Sequence, residues 1–239
     1  MAAAIAAGAA RADDGSKPPV VYKDPTPRAD ILDTPALKRN ILALSFKQPP
    51  AGLTVPRVKV EGASGLRDLR FQPGLTLLSL WAPWCAPCLV ELRDLAARRR
   101  LFEGKRFRML PVLTGPRGEI SLGEARAALA KVGAETMEVT IDRSPGSRVL
   151  LETLALRERP GGSGLGGNLP CNLLVDEEGR VLARQFGAPL DLKLEPGQLP
   201  TAEMRANART RWAGAEGEAL LGALQRGEVA GAPAPRLVG

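Results

Sequence analysis

The stretch WAPWCAPC, Trp81 to Cys88, constrains the fold of this chain more than any other, because it sets two cysteines three residues apart between an apolar run and a helical pattern. The preceding residues Leu75 to Leu80 (LTLLSL) form a nearly continuous apolar run of strand length, the signature of a strand buried on both faces. A helix starting near Cys85 places that thiol among the unpaired N–H groups and the positive dipole end of the helix, which favour a thiolate. Cys88 falls on the same face one turn in, close enough to close a ring with Cys85. Pro87 lies in the first turn, where a missing N–H costs nothing. The pair is therefore suited to cycle between dithiol and disulfide.

Histidine is absent, which excludes imidazole bases, Cys–His nucleophiles and His metal ligands together. Three cysteines is an odd number, so one redox pair plus one extra thiol, Cys171, fits better than a framework of structural disulfides. Lys plus Arg exceed Asp plus Glu by 33 to 26, a net +7, with the densest basic stretch running from Arg93 to Arg108. Only Phe102 and Phe107 interleave it and Glu91, Asp94 and Glu103 dilute it, so a solvated helix end is expected there, with a docking patch for an acidic partner as the alternative. A nucleic-acid partner is not expected. No run of 18 apolar residues exists, so no transmembrane helix is expected. Residues 1–12 (MAAAIAAGAARA) end in Ala10-Arg11-Ala12, like the cleavage end of a secretory signal, but lack a charged start. They are expected to be a truncated signal peptide, the alternative being a frayed Ala-rich terminus.

A length of 239 residues suits one domain of about 150 residues with extensions. After a proline-rich lead-in over 13–30, Thr34 and Pro35 should open a helix carrying Leu37, Ile41 and Leu44 on one face. A first strand is expected over 55–61, a turn over 67–74, and the buried strand over 75–80. The helix from Cys85 should reach Phe102, with Leu89, Leu92 and Ala96 inward. A strand over 108–114 follows, where Pro111 implies a bulge or an early departure from the ladder. Ser121 and Glu124 make a capping box for a helix that Gly133 stops. A short strand over 137–141 and a helix over 147–156 come next. The glycine-rich stretch 157–168 precedes no helix and lacks Lys-Ser/Thr, so it is not a phosphate loop. Residues 172–176 and 180–186 read as a hairpin, 189–211 as irregular, and 212–226 as a last amphipathic helix with Leu220, Leu221 and Leu224 inward.

The order of strand, WCAPC, helix, and a Leu169-Pro170 pair opening a hairpin resembles the thioredoxin superfamily, most nearly its extracytoplasmic branch typified by TlpA, ResA and CcmG. The resemblance covers about Val55 to Phe186, more weakly the last helix. It implies an α/β thioredoxin-like fold, a central mixed β-sheet flanked by helices. The implied division is a truncated signal at 1–12, an N-terminal extension with one helix over 13–54, the thioredoxin-like domain over 55–228 with an irregular insert at 187–211, and a disordered tail at 229–239. It further implies Cys85 as nucleophile, Cys88 as resolving thiol, Trp84 and Pro87 as supporting residues, and Pro170 as a cis-proline facing the disulfide. No cofactor or metal is implied. Partners would be protein disulfide substrates and an upstream membrane thiol donor, with the chain a monomer in the periplasm or another extracytoplasmic space.

Two positions depart from that family. Ser79 stands where thioredoxins carry a buried aspartate that relays the proton of the resolving thiol; a hydroxyl cannot do this near neutral pH. Glu91 is the nearest carboxylate in sequence to take that role. Cys171 follows Pro170 where a Thr, Ser or other small residue is usual, and in the family fold it would lie near the redox pair. Its readings are an inert buried thiol, an alternative disulfide partner, or the third thiolate of a Cu(I) site with Cys85 and Cys88. The leading expectation is a protein-disulfide reductase of the cell envelope, for example preparing apocytochrome cysteines for haem or a copper-site dithiol. A Cu(I)-carrying protein is the alternative. A thiol peroxidase is disfavoured, since the motif lacks the expected Thr and Arg around a lone low-pKa thiol.

Overall fold

Strand β3 (Leu75–Trp81), buried along almost its whole length, is flanked by β4 (Phe107–Leu113), parallel to it, and by β6 (Cys171–Val175), antiparallel. Being covered on both faces is what a run of LTLLSLW requires, since it offers no polar side to water. In this computed structural model, residues 44–102, 106–115, 119–155, 169–192 and 201–226 are described. The signal-like 1–12, the lead-in, most of the helix expected from Thr34, the stretch 157–168 and the tail 229–239 lie outside those residues.

With β1 (Lys59–Gly62), β2 (Gly65–Asp68), β5 (Thr140–Asp142) and β7 (Val181–Phe186), the strands form one mixed seven-stranded sheet in the order β2-β1-β5-β4-β3-β6-β7. The β6–β7 hairpin falls where the sequence places it, bulging between Leu174 and Val175. The first strand begins later than expected and folds back on β2 as a hairpin, in place of the expected turn. All four β2 residues are exposed, so the strand carries no alternation by which a sequence reading could find it. Pro111 causes neither bulge nor departure: the β3–β4 register runs unbroken from Leu75↔Phe107 to Trp81↔Leu113. On the other side β5 pairs only with Val112 and Leu113, so the missing N–H interrupts no ladder among the described strands.

Helix α1 (Ala86–Ala96) follows β3 and ends before Phe102, giving way to a 3₁₀ turn over Arg99–Phe102. Its buried face carries Leu92, Leu95 and Ala96, while Leu89 is half-buried. Helix α2 (Leu122–Ala130) has the expected capping box: Ser121 Oγ accepts from the Glu124 N–H at 3.2 Å and Glu124 Oε2 accepts from the Ser121 N–H at 2.8 Å. Helix α3 (Val149–Leu154) precedes β6. The described parts of 187–211, expected to be irregular, hold a small ladder of β8 (Leu190–Asp191) on β9 (Arg209–Thr210) and helix α4 (Ala202–Asn207). A 3₁₀ turn (Arg211–Ala213) leads into α5 (Ala215–Arg226), whose inward side carries Leu220, Leu221 and Leu224. Among the described residues no helix is long and apolar enough to cross a membrane.

Among the described residues of the basic stretch, Arg99 and Arg100 are exposed as a solvated helix end would have them, while Arg93, Arg98 and Arg106 reach the C-terminal segment. The Arg93 guanidinium donates to the Ala208 carbonyl at 2.8 Å, Arg98 to the Ala213 carbonyl at 2.6 Å and to Glu218 at 3.2 Å, and Arg106 to the Arg226 carbonyl at 2.8 Å. Asp94, buried on α1, accepts from the Thr210 N–H at 2.6 Å and from its hydroxyl at 3.0 Å. Charges that look like a surface field thus tie the C-terminal segment to α1, with hydrogen bonds to ionised groups, the stronger class.

Candidate active site

At the end of β3 the chain turns directly into α1, the Cys85 N–H donating to the Ala82 carbonyl at 3.0 Å. Cys85 is the N-cap of α1, its backbone extended (φ −90°, ψ 91°), and its Sγ accepts from the Cys88 N–H at 3.3 Å. Pro87 stands in the first turn without disturbing it. The two sulfurs are joined, with a Cα–Cα distance of 5.2 Å. Cys85 retains 5% of its surface and Cys88 none, so a molecule arriving from solvent meets Cys85 first. Trp84 is 37% exposed beside it, whereas Trp81 is fully buried.

The facing wall comes from β6. Leu80 pairs with Cys171, so the antiparallel register brings Pro170 beside Trp81, at the sheet end from which Cys85 emerges. The Leu169–Pro170 bond is cis, and the Pro170 carbonyl accepts from the Gly187 N–H at 2.8 Å. A central strand, a disulfide at a helix N-terminus, a parallel return strand and an antiparallel hairpin led by a proline at the same sheet end are now in place. The fold is thioredoxin-like.

The chain is similar over part of its length to several solved structures. The pneumococcal exposed lipoprotein thioredoxin of Streptococcus pneumoniae is 24% identical, with 55% of this chain and 90% of that one covered and a TM-score of 0.41. A thiol:disulfide interchange protein from Bacteroides sp. is 20% identical over 56% of this chain and 80% of that one, with a TM-score of 0.44. StoA from Bacillus subtilis is 15% identical over 56% and 90%, with a TM-score of 0.42. No family model and no curated protein matches the sequence.

Within the thioredoxin-like fold, the register partners Ser79 and Asn172 share one face of the sheet, both fully buried. Ser79 Oγ has no hydrogen-bond partner among the described residues. A carboxyl group on this face is supplied by Glu91, one turn beyond Cys88 on α1 and fully buried. Both Glu91 oxygens accept from Asn172 Nδ2 at 2.9 Å, and Oε1 also accepts from Trp212 Nε1 at 2.9 Å. Asn172 Nδ2 lies 2.7 Å from Gln185 Oε1, and the Gln185 amide donates to the Leu44 carbonyl. Burial raises the Glu91 carboxyl from 4.5 to about 7, the two donors from Asn172 and Trp212 pull it down, and the Asp94 charge pushes it up. A group poised there can both take and release a proton near neutrality.

Asn172 and Trp212 carry no site signal in the sequence. Asn172 could have been suspected as the one polar side chain in the buried strand CNLLV, but Trp212 stands 121 residues from Glu91 and nothing local marks it.

Cys171 does not face the redox pair as expected. Successive residues of a strand point to opposite sides of a sheet. Asn172 reaches α1, so Cys171 is turned toward α3, where its Sγ lies 3.9 Å from the Leu154 carbonyl. Burial pushes its thiol up to about 12, with Arg184 opposing and Glu91 reinforcing that rise. Among the described residues no three acidic or cysteine side chains are grouped to hold a metal ion. Iodoacetamide at pH 8 is expected to leave Cys171 unmodified in the native disulfide form and to label one thiol per chain after unfolding, as read by mass spectrometry. Native labelling at the unfolded rate would show the site to be open.

Proposed function

We propose that this chain is a thiol–disulfide oxidoreductase of the cell envelope that reduces protein disulfides. The observation that carries it is the placement of Cys85 at the N-cap of α1, with the Cys88 N–H on its sulfur and the buried Glu91 carboxyl one turn further along the same helix. In the dithiol form, the Cys88 N–H and the positive end of the α1 dipole stabilise the Cys85 thiolate.

That thiolate attacks one sulfur of a substrate disulfide; the other substrate sulfur leaves as a thiolate, and a mixed disulfide with Cys85 forms. Cys88 gives its proton to Glu91 and attacks Cys85 Sγ, and the second substrate thiolate departs. The substrate gains two electrons, and the chain is left with the Cys85–Cys88 disulfide. Glu91 takes here the part that an aspartate at the Ser79 position plays in thioredoxins. Trp84 precedes the reacting sulfur in the chain and Pro170 lies at the same sheet end, where the backbone beside it would offer itself to an extended substrate. An upstream membrane thiol donor would restore the dithiol, and the chain would act as a monomer belonging with the TlpA, ResA and CcmG branch.

The reduced protein is expected to transfer electrons to disulfide-bonded protein substrates, monitored by the appearance of substrate thiols. Cys85→Ser should lose this transfer entirely. No transfer by the intact protein to any protein disulfide tried would end the proposal.

A further inference from the structure

The carboxyl group of Glu91 is held partly from outside the sheet and its flanking loop. Its indole partner, Trp212, sits in the 3₁₀ turn between β9 and α5, in a segment that reaches α1 by tertiary contacts alone. That turn is pinned on both sides. Two residues earlier, Thr210 gives its N–H and hydroxyl to Asp94; one residue later, the Ala213 carbonyl takes a hydrogen bond from Arg98. Helix α5 closes against it, and a Cβ added at Gly217 would lie 2.5 Å from the Trp212 carbonyl oxygen. Phe46 packs edge-on to the indole, with ring centroids 5.9 Å apart. The first of these contacts hold the backbone of the turn and Phe46 holds the ring, but only Nε1–H addresses the acid.

We infer that Trp212 is a positioning residue for the redox site: its Nε1–H holds the Glu91 carboxylate and sets the pH at which that group exchanges a proton with Cys88. This rests on the proposal that Glu91 is the proton acceptor. The groups bearing on Glu91 are few. Asp94, on its own helix, acts by charge, while Asn172 on β6 and Trp212 in the C-terminal segment donate to it; Cys88 lies one turn before it, Cys171 on β6 is coupled to it by charge, and on β7 Gln185 meets Asn172 and Arg184 acts on Cys171. Of the two hydrogen-bond donors, Asn172 belongs to the hairpin and is shared with Gln185, whereas the Trp212 N–H has Glu91 as its partner. A hydrogen bond to a charged acceptor stabilises the ionised form, and its loss favours the protonated acid.

The test is direct titration of the Glu91 carboxyl in carboxyl-labelled protein by carbon NMR, which does not depend on turnover. In Trp212→Phe the midpoint should rise by about one pH unit or more, a tenfold or greater change in proton affinity. The pH at which substrate release from the mixed disulfide becomes fast should rise with it. Phe46→Leu, which loosens the packing but keeps the N–H, should lower stability and leave the midpoint in place. If Trp212→Phe does not fold, the benzothiophene analogue of tryptophan at position 212 removes the N–H while keeping the bicycle, and the same shift is expected. An unmoved midpoint in a folded variant overturns the inference. A midpoint that moves while the pH dependence of substrate release does not would leave Trp212 as the holder of the carboxylate, but it would overturn its redox role and Glu91 as acceptor. Loss of all turnover in the unmodified protein would instead tell against the oxidoreductase itself.

Discussion

Replacing Cys88 with serine is expected to stop turnover and to leave the chain covalently attached to its substrate. Cys85 is the sulfur with a trace of exposure and Cys88 has none, so first attack belongs to Cys85 and survives the substitution. What is lost is the second attack, which is intramolecular. The Cα atoms lie 5.2 Å apart on one helical turn, a geometry in which effective molarities reach about 10⁵ M or more. A millimolar external thiol cannot match that, so turnover should fall by at least about 10³-fold while the mixed disulfide accumulates. Non-reducing electrophoresis followed by mass spectrometry would show an adduct at Cys85. A Cys88→Ser protein that turns over at the original rate, with no adduct, would mean that Cys88 is not the resolving thiol.

The second large effect is on stability, through Glu91→Gln. Burial raises the folded carboxyl from 4.5 to about 7, so between these values the folded chain keeps a proton that the unfolded chain has released. Stability then falls as pH rises. The contribution of this group is complete below about 4.5 and is lost as pH climbs through about 7, a difference of about 3 kcal/mol. Glutamine has no such proton to lose, and its carbonyl can still accept from Asn172 and Trp212. Unfolding free energies of the two disulfide-form proteins from denaturant titration should therefore diverge in the variant's favour by about 3 kcal/mol between pH 4 and pH 8. Parallel profiles would show that Glu91 is ionised throughout. The same substitution removes the proton acceptor, so a gain in stability at pH 8 should come with slower release of substrate, the trade expected when a buried acid is kept for chemistry.

Much of the site was legible because it is local. Cys85 is a helix cap, Pro87 is a first-turn proline, and the Ser121–Glu124 box spans three residues; each depends on backbone geometry within one turn. The buried strand LTLLSLW and the β6–β7 hairpin followed from apolar runs and a turn. The exposed strand β2 could not be read this way, since its pairing with β1 leaves no hydrophobic pattern behind.

By itself, then, the sequence determined that two cysteines share the first turn of a helix following a buried strand, and that no histidine can assist them. Only the tertiary structure decided what surrounds them. Cys171 adjoins Pro170 in the chain, yet strand alternation turns it to the opposite face from Glu91. The basic residues of α1 and its sequel look like surface charge, yet Arg93 and Arg98 are occupied by carbonyls of the C-terminal segment. Glu91 is an ordinary acid in the sequence, and its proton affinity comes from burial opposed by two donors, one 81 and the other 121 residues away. A thiol's reach to its neighbour is set by bonds along one turn, whereas the state of a buried acid is set by whatever the fold brings against it.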